Sequence, residues 1–172
     1  LQGGFIWDFV DQAILTKDRN GKDYLGYGGD FGEGYTDGIF CGNGLMFADR
    51  TETPKIKETR ICYQNMKFAD VDWETGEVTI CNRSLFTDLS AYRFVWTLVL
   101  DEVSCAQGSV DVKCAPGETV KVRLPFAGEL KKWKEAGRSC LEAFLNMEAQ
   151  LKEDTAWARA GYAVAKGQFI TG

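Results

Sequence analysis

The stretch Gly26-Tyr27-Gly28-Gly29-Asp30-Phe31-Gly32-Glu33-Gly34 gathers acids and aromatic rings in a run rich in glycine. Tyr35, Asp37, Phe40 and Asn43 extend it downstream. Oxygen-donor side chains beside flat apolar faces suit a sugar or a hard cation. The plainer alternative is a set of acids solvating an exposed loop. A phosphate cradle needs a Lys-Ser/Thr pair or a following helix, and neither is present. An EF-hand is excluded because Asp18-Arg19-Asn20-Gly21 lacks the later ligands. The chain of 172 residues contains no histidine. That removes Ser–His–Asp and Cys–His catalysis and every His-ligated zinc or haem site.

A second candidate is Gly3-Gly4-Phe5-Ile6-Trp7-Asp8-Phe9-Val10-Asp11-Gln12. Phe5–Val10 has the composition of a buried strand ending in acids. In a parallel barrel such a strand would bring Trp7 and Asp8 to its C-terminal end, where barrels place their chemistry. Otherwise Trp7 is a core residue. Six cysteines are scattered singly, without a C-x-x-C, so metal ligation gets little support. We expect buried thiols, with Cys105 and Cys114 as the one pair to check for a disulfide across a hairpin. The net charge is −5, without a Lys/Arg cluster. That argues against nucleic acid and anionic membranes, which require concentrated positive charge. The longest apolar stretch is far shorter than the roughly 20 residues of a membrane span. The opening Leu1-Gln2-Gly3-Gly4 has no Met and no basic n-region, and is expected to be an internal start within a longer chain.

These residues need elements to hold them. More than half of the 19 glycines fall in the first fifty residues, which lack periodicity. Asn20-Gly21 there predicts a two-residue hairpin turn, both positions tolerating positive φ. From Met66 onward the pattern has period two. Strands are predicted at Met66–Val71, Glu77–Asn82, Tyr92–Leu100, Ser109–Lys113 and Thr119–Leu124, with Ala106-Gln107-Gly108 among the turns between them. Arg93–Leu100 is nearly all apolar, as for a strand covered on both faces. Glu129–Glu135 favours helix by composition. Ser139–Leu151 has helix-forming residues but alternates Leu145, Met147 and Ala149 with Asn146, Glu148 and Gln150. Strand is expected there, and again at Gly161–Ile170. Short strands at this spacing mark an all-β sandwich.

The string Gly3–Gln12, then Tyr27-Gly28-Gly29-Asp30-Phe31-Gly32 and Phe40-Cys41-Gly42-Asn43-Gly44-Leu45-Met46-Phe47-Ala48-Asp49-Arg50, closely resembles the large bacterial β-galactosidases of glycoside hydrolase family 2. The resemblance continues at Tyr63–Phe68, Asn82–Thr87 and Thr155–Ala158. It implies that residues 1–50 are the C-terminal end of a (β/α)8 barrel. Residues 51–65 would be a linker and 66–172 an immunoglobulin-like β-sandwich of about seven antiparallel strands. It also implies a parent that hydrolyses terminal β-D-galactosides with retention. The paired glutamates of that reaction, about 5–5.5 Å apart, would both lie upstream. No catalytic residue is then expected in this chain, and Glu33 in particular is not one.

By resemblance, Trp7 offers its ring to galactose, and Asn43 binds sodium near the 6-hydroxyl. Phe40 ligates the same ion through its backbone carbonyl, and Asp37 belongs to the mobile loop. Gly38 and Thr36 depart from the family, whose best-known members have Arg and Asn there. Sodium and magnesium are expected of the parent and neither of the isolated chain. The expected partners are the galactoside, the missing barrel and a second copy, with no nucleic acid and no membrane. A bacterial cytoplasmic or periplasmic location follows. Residues 1–50 alone are expected to be loosely ordered, to fold onto the sandwich or to self-associate. The rival reading is a stand-alone carbohydrate-binding or adhesion module, with Trp7 and Tyr35 as its platform. In another, the sandwich is a spacer between domains. The sequon Asn82-Arg83-Ser84 has meaning only in a glycosylating host.

Overall fold

A computed structural model describes residues 3–38, 40–137 and 142–171. The chain divides into two units, Leu1–Tyr63 and Gln64–Gly172.

In the first unit, β1 (Ile14–Lys17) and β2 (Asp23–Gly26) form an antiparallel hairpin. Its turn differs from the expected two-residue form. Gly21 N donates to Asp18 O, and Asp18 N donates to Lys22 O. Gly21 alone takes positive φ, at 79°. This is a three-residue loop, a type I turn closed by a glycine bulge. The Asp18 carboxylate selects it by accepting from Asn20 N and Lys22 N. Phe5–Val10 is not a strand: only Val10 pairs, in an isolated parallel bridge to Met46. The stretch expected as linker contains a helix, α1 (Pro54–Cys62). Pro54 begins it, where its missing N–H is no loss.

The second unit is a sandwich of two antiparallel sheets. One has the order β3-β4-β7, from β3 (Met66–Asp72), β4 (Glu77–Asn82) and β7 (Thr119–Arg123). The other has the order β6-β5-β8-β9, from β5 (Tyr92–Leu100), β6 (Val103–Asp111), β8 (Ala143–Leu151) and β9 (Ala163–Thr171). Inward residues of both sheets alternate along each strand and fill one core, which includes Val78, Ile80, Phe94, Leu98, Leu145 and Met147. Phe68 meets Phe94 edge-on across the sheets, with centroids 6.2 Å apart. The expected all-β sandwich of seven strands is present. A helix, α2 (Phe126–Glu135), caps it by burying Phe126 and Leu130, and Trp73 packs edge-on against Phe126.

Three local expectations are corrected. β5 is covered on one face only: Phe94, Trp96, Leu98 and Leu100 are buried, while Val95, Thr97 and Val99 are half-buried. The β5–β6 turn is Asp101-Glu102, both at positive φ, and Ala106-Gln107-Gly108 lies within β6. Gly108 sits in that strand because the Trp96 indole covers it; a Cβ there would lie 2.9 Å from the ring. Of the described cysteines only Cys114 is buried; Cys41, Cys81 and Cys105 are half-buried and Cys62 is exposed. Cys105 and Cys114 are free thiols, and burial raises the pKa of Cys114. Cys140 lies outside the described residues, as do the first three residues of Ser139–Leu151.

Gly167 in β9 shows how closely the sheets approach. A Cβ there would lie 2.6 Å from Phe68 Cδ2 and 2.8 Å from its Cβ. Gly167→Ala is therefore expected to destabilise the sandwich by about 1–3 kcal/mol, as overpacking does. Urea unfolding measures it, and an unchanged midpoint would show that Phe68 moves aside freely.

Candidate functional site

In the first unit, hydrogen bonds lay Asp8–Gln12 alongside Cys41–Met46. Leu45 N donates to Asp8 O (2.9 Å) and Met46 N to Phe9 O (3.0 Å). Asp11 N donates to Met46 O and Gln12 N to Cys41 O, both at 3.0 Å. The Asp11 carboxylate accepts from Gly44 N at 2.7 Å. On the other side, Lys55 Nζ donates to Gly44 O, and Thr53 Oγ1 to Leu45 O. Thr53 therefore gives its hydroxyl to this segment rather than to the N-terminus of α1, which has no side-chain cap. Every main-chain N–H and C=O from Gly44 to Met46 is thus engaged, and the segment is fixed from two sides.

Polar atoms without partners stand next to this satisfied backbone. Oδ1 and Nδ2 of Asn43 are both buried and have no hydrogen-bond partner. Asp8 Oδ1 is in the same condition, although its Oδ2 accepts from Gln12 Nε2. A buried amide or carboxylate oxygen without a partner is costly, so such a group indicates strain or a place for a ligand. Asn43 was legible as a candidate through the resemblance. Asp8 was noticed in sequence only for its place on a possible strand, and its orphaned oxygen had no sequence signal.

The aromatic residues face solvent. Trp7 is 66% exposed, so it is not core in this chain. Its peptide bond to Asp8 is cis. Phe40 is also exposed, and its N–H donates to Asp37 O at 3.3 Å, placing Asp37 and Phe40 at the two ends of one turn. The structure thus brings Trp7 and Asn43 onto adjoining segments, and ties Asp37 to Phe40. Tyr35 is fully exposed, and none of the ring contacts among the described residues joins it to Trp7.

The glycine loop uses its acids on itself. Glu33 accepts from Gly29 N and Phe31 N, and Asp30 accepts from Tyr27 N. The bond from Gly29 N leads in holding the Glu33 carboxyl below its usual pKa. A carboxylate so engaged shapes a loop; it is a poor proton donor at neutral pH. Gly38 has φ +60°, a region that suits glycine and strains residues with a Cβ. Among the described residues no group of three or more Asp, Glu, Cys or His side chains converges to hold a metal.

Comparison with known proteins separates the two units in the same order. A family model described as β-galactosidase, domain 4, matches residues 78–171. The chain belongs to the β-galactosidase domain 4 family. The model for the TIM barrel domain of family 2 glycosyl hydrolases matches residues 1–68. Curated β-galactosidases resemble this domain 4 chain along nearly its whole length. That of Priestia megaterium is 44% identical over 170 residues, covering 99% of this chain and 16% of that protein. Those of Halalkalibacterium halodurans and Streptococcus thermophilus are each 43% identical, over 98% of this chain and 16% and 15% of their own lengths. The chain thus spans about a sixth of the relatives it matches.

Proposed function

We propose that these residues form the last part of a β-galactosidase barrel and the sandwich that follows it, and that the parent hydrolyses terminal β-D-galactosides with retention. Both catalytic glutamates would come from polypeptide outside this chain, which alone would not turn over substrate. Trp7 would present its ring face to the C–H groups of galactose. Asp37 and Phe40 would border the pocket on one loop, and Gly38 would leave that loop freer than an arginine does.

The observation that carries this reading is the buried, unpartnered amide of Asn43 beside a backbone whose own bonds are made. Sodium, a hard cation served by neutral oxygens, fits that Oδ1, with the Phe40 carbonyl as a second donor. When bound, it would fix a galactose hydroxyl. No residue of this chain is assigned to magnesium. The parent would act in the cytoplasm or periplasm on a galactoside, without nucleic acid or membrane as a partner; no helix among the described residues is long and apolar enough to cross one.

The test is sodium titration of galactoside hydrolysis by the uninterrupted polypeptide. Asn43→Ala is expected to raise the half-saturating sodium concentration more than about tenfold, as loss of one ligand would. An unchanged sodium curve would remove Asn43 from the site. Galactose binding tighter than millimolar by this chain alone would favour the stand-alone binding module instead.

A further inference from the structure

Successive side chains of a strand point to opposite faces, so the four-stranded sheet of the sandwich has an outer face that its core does not use. The register sets Gln107, Thr97, Asn146 and Gln168 in one row across β6, β5, β8 and β9. The next row is Ser109, Val95, Glu148 and Lys166. A groove of about 790 Å³ runs over both rows on β6, β5 and β8, with Arg93 and Gln150 at one end. Side-chain length shapes it: Val95, Thr97 and Ser109 are short, and longer Arg93, Gln107, Glu148 and Gln150 stand around them.

The carboxylates on this face are already engaged. Lys166 Nζ pairs with Glu148 Oε1 at 2.6 Å, and Gln150 Nε2 donates to the other oxygen at 2.9 Å. Lys152 pairs with Asp111, the register partner of Arg93, at 2.9 Å. What is left to bind a ligand is mostly neutral. Gln168 Nε2 donates to Asn146 Oδ1 at 2.7 Å, which orients the Asn146 amide and leaves its Nδ2 available. The side chains of Thr97, Gln107 and Ser109 form no hydrogen bond with any described residue. A primary amide carries two donors and an acceptor oxygen, and a hydroxyl both donates and accepts. That set matches neighbouring hydroxyls of a sugar, while Val95 gives its C–H groups an apolar floor.

We propose that this outer sheet face is a saccharide-binding site of the sandwich unit, which takes a neutral β-galactosyl oligosaccharide. That the sugar carries galactose rests on the β-galactosidase reading above; that it is a neutral polyhydroxylated chain rests on the groove. The row from Gln107 to Gln168 crosses three strand spacings, about 14 Å. An oligosaccharide lying across the strands meets polar groups along that whole row, whereas a single ring meets only part of it. No residue of the first unit takes part.

Titration of the isotope-labelled chain with β-galactotriose, followed by NMR, tests this. Shifts are expected at the Val95, Thr97 and Asn146 main-chain amides and at the side-chain amides of Gln107 and Asn146, saturating in the millimolar range. Gln107→Ala, at an exposed position, is expected to leave the melting temperature within about 2 °C. It should weaken binding about tenfold, as loss of one hydrogen bond does. Thr97→Val keeps the shape of the floor and removes its hydroxyl, and should weaken binding in the same direction. A sheet face without shifts overturns the proposal, as does unchanged binding by both variants. Equal shifts with maltotriose, an α-glucoside of the same length, overturn the assignment to galactosyl chains. Hydrolysis of a chromogenic galactoside by the uninterrupted polypeptide is measured alongside. An unshifted sheet face with hydrolysis intact defeats this site alone, and a folded polypeptide without hydrolysis defeats the functional reading.

Discussion

Gly44→Ala is expected to reduce kcat/KM for galactoside hydrolysis by the uninterrupted polypeptide at least about 100-fold, the scale of a misplacement near 1 Å at a reacting site. A Cβ at Gly44 would lie 2.3 Å from Asp11 N, 2.6 Å from Val10 C and 2.7 Å from Met46 O. All three are main-chain atoms, so no side chain can swing away to make room. The two segments would have to separate, breaking bonds that include those from Leu45 N and Met46 N. Trp7 and Asn43 flank that seam and would move with it. Hydrogen exchange in this chain offers an independent measure: the Leu45 and Met46 amides should lose protection, while those of β5 and β8 keep theirs. Wild-type protection and activity in the variant would show that the seam does not position the site.

Asn82→Ala is expected to destabilise the sandwich by about 3 kcal/mol or more, since each buried group left unpaired costs about 1–3 kcal/mol. Asn82 is 2% exposed. Its amide nitrogen serves the carbonyls of Thr87 and Cys114 at 2.9 Å each, and its oxygen serves Ser84 N at 3.0 Å. Alanine orphans Thr87 O and Ser84 N at once and leaves Cys114 O with Leu89 N as its remaining donor. Asn82→Asp keeps the acceptor for Ser84 but sets a carboxylate against two carbonyls, so the loss should be at least as large. Urea denaturation compares them. A loss below about 1 kcal/mol for both variants would mean that water replaces the amide at little cost. The same burial bears on the sequon Asn82-Arg83-Ser84: the nitrogen a glycan would need is inside the folded protein.

The sandwich was legible because its strands alternate strictly. β4 and β5 have the expected limits, and β8 follows its alternation against a composition that favours helix, because the buried face of Leu145, Met147 and Ala149 outweighs intrinsic propensity. The β5–β6 turn was illegible for a physical reason. Asp101 and Glu102 adopt positive φ without glycine, supported in part by Asp101 Oδ1, which accepts from Glu142 N across 41 residues. Gly108 looked like punctuation and proved to be space for Trp96. In the site, residue types and resemblance pointed to Trp7, Phe40 and Asn43. The clamp that holds their neighbourhood, from Asp11, Thr53 and Lys55 onto Gly44 and Leu45, joins positions too distant in sequence for any local pattern to reveal.

β9 is the outer strand of its sheet, with one row of main-chain groups unpaired by any neighbouring strand. Gln64, two residues before β3, reaches that row: its Nε2 donates to Lys166 O and its Oε1 accepts from Lys166 N. A primary amide presenting donor and acceptor together imitates one peptide unit of a passing strand. A foreign β-strand trying to extend the sheet would meet this plug midway and lose two ladder bonds there. Protection from edge-to-edge polymerisation is thus delegated to a single side chain, at a border that elsewhere depends on charged residues or proline.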